Sequence, residues 1–124
     1  MTESWTKLCN AKDLRLVDNG VEVIFSDERK HKVTVEEQVD AYLLNGKIVR
    51  QSVVSSVIDL PMLVWQRNRI TSLVGFRFDK RGRLVGEAFV PREGLTKQEF
   101  QLYLRAVASE CDRFEYALTG RDVE

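Results

Sequence analysis

A chain of 124 residues can bury one core of ordinary size, and its 44% hydrophobic and 31% charged content is that of a globular domain, not a disordered one. Its 19 basic and 19 acidic side chains cancel, which excludes a strong whole-molecule attraction to nucleic acid or to an anionic membrane. The longest apolar run is four residues, Met62 to Trp65, against the roughly 20 of a membrane-spanning helix, so no membrane partner is expected.

The first residues, MTESWTKLCNAKD, lack the basic-then-apolar order of a signal peptide. Residues 2 to 12 read as a short helix with Thr2 or Ser4 as its cap and Trp5, Leu8 and Cys9 on one side. Cys9 and Cys111 stand far apart in no ligand spacing, the usage of reduced thiols in a cytoplasmic protein. A turn at Asp18-Asn19-Gly20 leads into a strand in which Val21, Val23 and Phe25 alternate with Glu22, Ile24 and Ser26. From Lys32 to Leu44 the odd positions Val33, Val35, Val39, Ala41 and Leu43 are apolar and the even ones mostly polar, which predicts one long strand. Asn45-Gly46 is the preferred pair for a two-residue hairpin turn, so a return strand over about 47 to 57 is expected, with Ile48 opposite Leu43.

Asp59-Leu60-Pro61 reads as a capped helix entrance, and residues 61 to about 69 as the helix. Residues 74 to 90 form a hairpin around a type I turn at Asp79-Lys80-Arg81-Gly82, with Phe76 facing Gly86 and Phe78 facing Leu84. Thr96-Lys97-Gln98-Glu99 fits a capping box and Leu95 with Phe100 a hydrophobic staple. A stripe of Phe100, Tyr103, Leu104, Val107, Cys111, Phe114 and Leu118 then predicts a helix over about 97 to 118, closed by Gly120. The order implies one α+β domain over residues 1 to 124: an antiparallel β-sheet of about five strands packed against helices.

No arrangement here matches a catalytic signature, so a non-enzymatic protein without cofactor is expected. His31, the only histidine, lies in a charged stretch and reads as an exposed loop residue; as a general base it would need an orienting carboxylate. Cys111 lies on the apolar stripe, where a thiol acts as a small hydrophobe, and no spacing along the chain predicts a metal site. Charge is uneven, however: residues 66 to 83 carry Arg67, Arg69, Arg77, Lys80, Arg81 and Arg83 against Asp79 alone, with Trp65 alongside. That patch reads either as a surface for acidic groups of a protein or, as the alternative, as a regulatory nucleic-acid site. On the hairpin's second face Leu73 is expected opposite Phe89, with Val85 beside Arg77 and Glu87, a mixed apolar and charged surface that suits protein contacts.

The run from Asp59 to Phe114 resembles the YbjN-type proteins, whose fold is that of type III secretion chaperones. Gly75-Phe76-Arg77-Phe78-Asp79, Gly82-Arg83-Leu84-Val85, Val90-Pro91 and Leu95 to Phe100 stand in the order of that family's hairpin, its "LP" exit and its "LTEEEF" helix start. It also looks like small cyanobacterial proteins of this fold, a carboxysome-assembly chaperone among them. The resemblance implies a homodimer that masks a segment of another protein. The neutral charge and short first helix depart from secretion chaperones, which are usually acidic, so assembly of an intracellular complex is expected. The residues expected to meet the partner are Trp65, Arg67, Arg69, Leu73, Arg77, Val85, Glu87 and Phe89.

Overall fold

The computed structural model describes residues 5–71 and 73–120, so the proposed caps Thr2 and Ser4 lie outside the described residues. A 3-10 turn, Trp5–Leu8, stands where a short helix is expected. The chain then forms β1 (Leu14–Val17), β2 (Gly20–Ile24), β3 (Lys30–Glu37), β4 (Ala41–Val49), α1 (Gln51–Val54), α2 (Leu60–Ile70), β5 (Gly75–Phe78), β6 (Leu84–Pro91) and α3 (Lys97–Thr119). The strands make one antiparallel sheet in the order β1-β2-β3-β4-β6-β5. It has six strands, not about five: β1, whose Leu14 and Leu16 alternate with Arg15 and Val17, pairs with β2 across the expected turn at residues 18 to 20.

Two expectations fail in the middle of the sheet. Asn45-Gly46 is not a turn; β4 runs straight through it, with Asn45 paired to Thr34 on one side and Glu87 on the other. The reversal comes earlier, at residues 38 to 40, where Val39 is 98% exposed at the tip and Gln38 N–H donates to Ala41 O at 2.9 Å. Arg92 holds this turn against β6: its guanidinium donates to Gln38 O at 2.7 Å, pairs with Glu37 at 3.1 Å and lies 4.9 Å from the centre of the Tyr42 ring. The expected strand over 47 to 57 ends at Val49 after a register shift between Lys47 and Val49, and α1 follows.

Gly46 is a glycine for a different reason. It pairs with Gly86 across β4 and β6, and the two lie beneath Cys111 of α3. A Cβ on Gly46 would meet Cys111 Sγ at 3.0 Å, and one on Gly86 would meet it at 2.6 Å and the Phe76 ring at 3.1 Å. The glycine pair is thus a seat on which the helix approaches the sheet backbone. Phe100, Leu104, Val107, Ala108, Cys111 and Phe114 of α3 are buried there against Val21, Val23, Val33, Val35, Tyr42, Leu44, Leu84, Ala88 and Val90. Phe114 meets Phe76 edge-on at 5.1 Å, and Phe100 meets Tyr42 at 5.4 Å, geometries that aromatic quadrupoles favour.

Both ends of α3 follow the local sequence. Thr96 Oγ1 accepts from Glu99 N–H at 3.1 Å, Thr96 N–H donates to Glu99 Oε1 at 3.0 Å, and Gly120 takes the left-handed conformation at φ 73°. The amino-terminal segment is pinned to the same helix. Gln101 Nε2 donates to Leu8 O at 2.8 Å, and Arg105 grips Asp13 with two bonds of 2.8 and 2.9 Å.

Gly86→Ala therefore drives a methyl group into Cys111 and Phe76, and overpacking of this kind costs about 1–3 kcal/mol. Urea denaturation should show that loss in the native background and a smaller one in a Cys111→Ala background, where the sulfur is gone. Equal losses in the two would mean that the sulfur contact does not set the helix height.

Candidate functional site

α3 packs on β2, β3, β4 and β6 from one side of the sheet. On the strands, the residues that alternate with the core make the second face: Lys32, Thr34 and Glu36 of β3, Leu43, Asn45 and Lys47 of β4, Arg77 of β5, and Glu87 and Phe89 of β6 are all exposed or half-buried. Phe89 is 60% exposed, an aromatic ring standing in solvent beside its pair partner Leu43. A hollow of about 330 Å³ opens on this side, lined by Thr34, Glu36, Leu43, Asn45, Arg77, Asp79 and the basic residues Lys80, Arg81 and Arg83.

Val85 departs from the expected surface. It is only 1% exposed, paired with Lys47 on one side and Arg77 on the other, and it stands outside the main core cluster. Its side chain offers a partner no surface. Glu87 is half-buried and engaged, accepting from Arg77 Nε at 2.7 Å and from Asn45 Nδ2 at 3.3 Å. The hydrogen bond with Glu87 holds the Arg77 guanidinium above its ordinary pKa, outweighing the opposite effect of burial.

The hairpin turn is as the sequence predicts. Gly82 N–H donates to Asp79 O at 3.0 Å, and Asp79 Oδ1 accepts from the Arg81 and Arg83 amides at 2.9 Å each. Asp79 Oδ2 also takes Arg83 Nε at 2.7 Å. Burial works to raise the Asp79 carboxyl, but the Arg83 amide and guanidinium and the Arg81 amide outweigh it and hold the group below the usual carboxylate range. The ladder has Phe76 opposite Gly86 and Phe78 opposite Leu84, as expected, and begins at Gly75 opposite Glu87.

α2 lies against β5 at the edge of the sheet. Pro61 stands in its first turn, but Asp59 caps it without a side-chain bond, from the left-handed conformation at φ 61°. Leu60 and Val64 face inward and are buried, so the contiguous apolar run splits between two sides of the helix. Met62, Leu63, Trp65 and Ile70 remain outside, Trp65 55% exposed and Ile70 84%. Ile58 and Leu73, just beyond the two ends, are exposed as well. Asn68 Nδ2 donates to Phe76 O at 2.9 Å and Asn68 Oδ1 accepts from Phe76 N–H at 2.8 Å, so one amide side chain stands in for a neighbouring strand.

The six basic residues of the 66-to-83 segment do not form one surface. Arg67 lies 4.5 Å from the centre of the Phe114 ring and Arg69 5.0 Å from that of Trp65, both on α2. Arg77 and Arg83 are paired with Glu87 and Asp79, while Lys80 and Arg81 are exposed at the hairpin tip. Sequence reasoning named Trp65 but missed Met62, Leu63 and Ile70 on the outer side of α2, and Lys32 and Lys47, which join the sheet surface only because β4 pairs with both β3 and β6.

His31 is not a loop residue. It is the second residue of β3, half-buried, with Nε2–H donating to Lys47 O at 2.7 Å beside the register shift of β4. Burial pushes its pKa below the ordinary value, against the opposing effects of the Lys47 carbonyl and the charge of Asp112. Cys9 and Cys111 are both buried free thiols, and burial pushes them up to about 11 and about 12. Neither is a nucleophile at neutral pH.

No protein-family model matches this chain, and no curated protein matches it. Solved structures do. The chain is similar to one in the heterodimeric ExoU–SpcU complex from the type III secretion system of Pseudomonas aeruginosa, with a TM-score of 0.60 and 15% identity over 85% of this chain and 87% of that one. It is similar to a chain of the ExsC–ExsE complex at a TM-score of 0.60 and 17% identity, covering 92% and 87%. A third match is the HopA1–SchA chaperone–effector complex, at 0.52 and 14%, covering 94% and 88%. At these identities the likeness is one of fold: an antiparallel sheet backed by helices in the manner of type III secretion chaperones.

A thiol held at pKa 11 or above is at least about a hundredfold less ionised at pH 8 than an ordinary one. Labelling of the native chain by a chromogenic disulfide reagent at pH 8 should be slower than labelling in denaturant by at least that factor at both cysteines. Fast labelling of either in the native chain would show that thiol to be ionised and accessible.

Proposed function

We propose that this protein is a non-enzymatic, cytosolic assembly chaperone that acts as a homodimer and masks an extended, acidic segment of a partner protein on the uncovered face of its sheet. The observation that carries the reading is that face itself. A solvent-standing Phe89 beside Leu43 provides an apolar anchor; Lys32, Lys47 and Arg77 stand further along the same face, near Val85, and Lys80 and Arg81 line the hollow that Leu43 also borders. The chaperone–effector complexes that share the fold support a protein client, and the YbjN-type resemblance supports an intracellular assembly, the carboxysome being the one to which it points.

The second copy meets α2. Met62, Leu63, Trp65 and Ile70 give this helix an apolar outer side in addition to its buried one, and the same patch on both protomers suits a two-fold contact. A helix that hides one apolar face on its own sheet has no intramolecular use for another. Trp65 and Arg69 belong to this contact, while Leu73, Arg77 and Phe89 belong to the client side. The nucleic-acid reading gains no specific support, because the basic residues of the 66-to-83 segment are divided between α2 and the hairpin and form no continuous basic surface.

Light scattering after size exclusion should give twice the chain mass for the native protein and a monomer for the Met62→Glu, Trp65→Glu double variant, which should still melt cooperatively. A native chain that stays monomeric at tens of micromolar removes the dimer.

A photo-crosslinking amino acid at position 89 should capture a client in the native cell, and one at the control position 116 should not. Capture should fall as salt rises and fall at least about tenfold in an Arg77→Glu, Arg81→Glu background. Capture of RNA, or capture equal at both positions, overturns the client surface.

A further inference from the structure

On the helix-covered side, at the start of β3, three side chains from two elements converge. His31 enters from β3, and Asp112 and Glu115 come from one turn of α3, three residues apart and so on one face of the helix. Their ligand-type atoms lie within 4.8 Å of one another, and all three residues are half-buried. Each carboxylate is acceptor-only when ionised. The imidazole has one proton in its neutral form, and Lys47 O fixes where it sits: a carbonyl can only accept, so Nε2 carries the hydrogen and Nδ1 has the lone pair. The set thus offers one imidazole nitrogen, Nδ1, and two carboxylates as lone-pair donors.

The outer partners have the form that metal ligands use. A ligating histidine donates its second ring N–H to a carbonyl, which fixes tautomer and ring orientation, and His31 does so to Lys47 O. Ligating carboxylates are themselves held, and Arg29 takes Asp112 Oδ2 at 3.0 Å, leaving Oδ1 for another partner. Arg29 is in turn fixed by Asp27 at 2.8 Å and lies over the Phe25 ring. Asp112 also borders a hollow of about 530 Å³, which Phe25, Arg29, Ser109, Arg113 and Tyr116 line as well.

We propose that His31, Asp112 and Glu115 bind one divalent transition-metal cation of the zinc type, completed by water, that staples the carboxyl-terminal half of α3 to the start of β3. One nitrogen and two carboxylate oxygens suit zinc at tetrahedral coordination with a water, and the imidazole disfavours magnesium and calcium. No spacing along the chain signals this set, since His31 and Asp112 are 81 residues apart; only the packing of α3 across β3 joins them. The site is separate from the proposed client face and from α2.

Titrating the full native chain with zinc chloride, with magnesium chloride as control, should show one saturable zinc per chain. Zinc at a large excess over its dissociation constant should raise the melting temperature by several degrees, while magnesium should leave it unchanged. His31→Gln, Asp112→Asn and Glu115→Gln should each weaken zinc at least about tenfold while remaining cooperatively folded in chelator. Glu115→Gln, on the helix surface, carries the test if His31→Gln does not fold. Zinc uptake no greater than that of magnesium, or uptake undiminished in the folded variants, overturns the proposal.

Discussion

The structure rests on how close α3 comes to the sheet. Between Cys111 and the backbone of β4 and β6 there is no side chain at all, because Gly46 and Gly86 stand side by side beneath the sulfur. That contact sets the height at which Phe100, Leu104, Val107 and Phe114 reach the strands, and each such side chain fully buried contributes about 1.5–3 kcal/mol. It also explains the thiol. Cys111 Sγ–H reaches Gly46 O at 3.5 Å and is otherwise enclosed, and the burial that makes it a packing group is what pushes its pKa to about 12. A larger residue in any of the three positions would separate the layers along the whole length of the helix.

The parts of the fold legible in the sequence are those whose causes are local. The capping box, the left-handed Gly120 and the Asp79 turn each form within a few residues, and the hydrogen bonds that justify them connect the residues that signal them. Asn45-Gly46 has the same local signature as a turn, yet its glycine answers to a sulfur 65 positions later. The true reversal at residues 38 to 40 has no glycine or proline, and it is held by Arg92, more than fifty positions downstream. The apolar odd positions Val33, Val35, Val39, Ala41 and Leu43 keep one period on both sides of that reversal, interrupted only by Glu37, which is why one long strand is the natural reading of it.

The candidate surfaces were legible only in part, and for a related reason. Six basic residues within eighteen positions look like a patch along the chain, but side-chain partners redistribute them: two onto aromatic rings, two onto carboxylates, two onto a hairpin tip. Phe89 and Leu73 were readable as outward residues from the period of the hairpin, and the same period places Val85 outward too. Its burial depends on neighbours in β4 and β5, which the period of one strand does not contain.

The β5 edge of the sheet bears on how the proposed client would bind. At β5 the Asn68 amide takes both the N–H and the C=O of Phe76, so an incoming strand finds the central backbone pair of that edge already satisfied. Strand addition there would have to displace two hydrogen bonds and lift α2, whose buried Leu60 and Val64 hold it down. An extended segment laid across the open face meets no such obstacle, but it gains no ladder of backbone bonds either. Its affinity must then come from side chains: a ring at Phe89 that leaves water on contact, and cations that reward acidic flanks. On the proposed function, such a surface would discriminate by charge and release its client when the charges are screened, which is the behaviour an assembly factor needs if it is to hand its partner on.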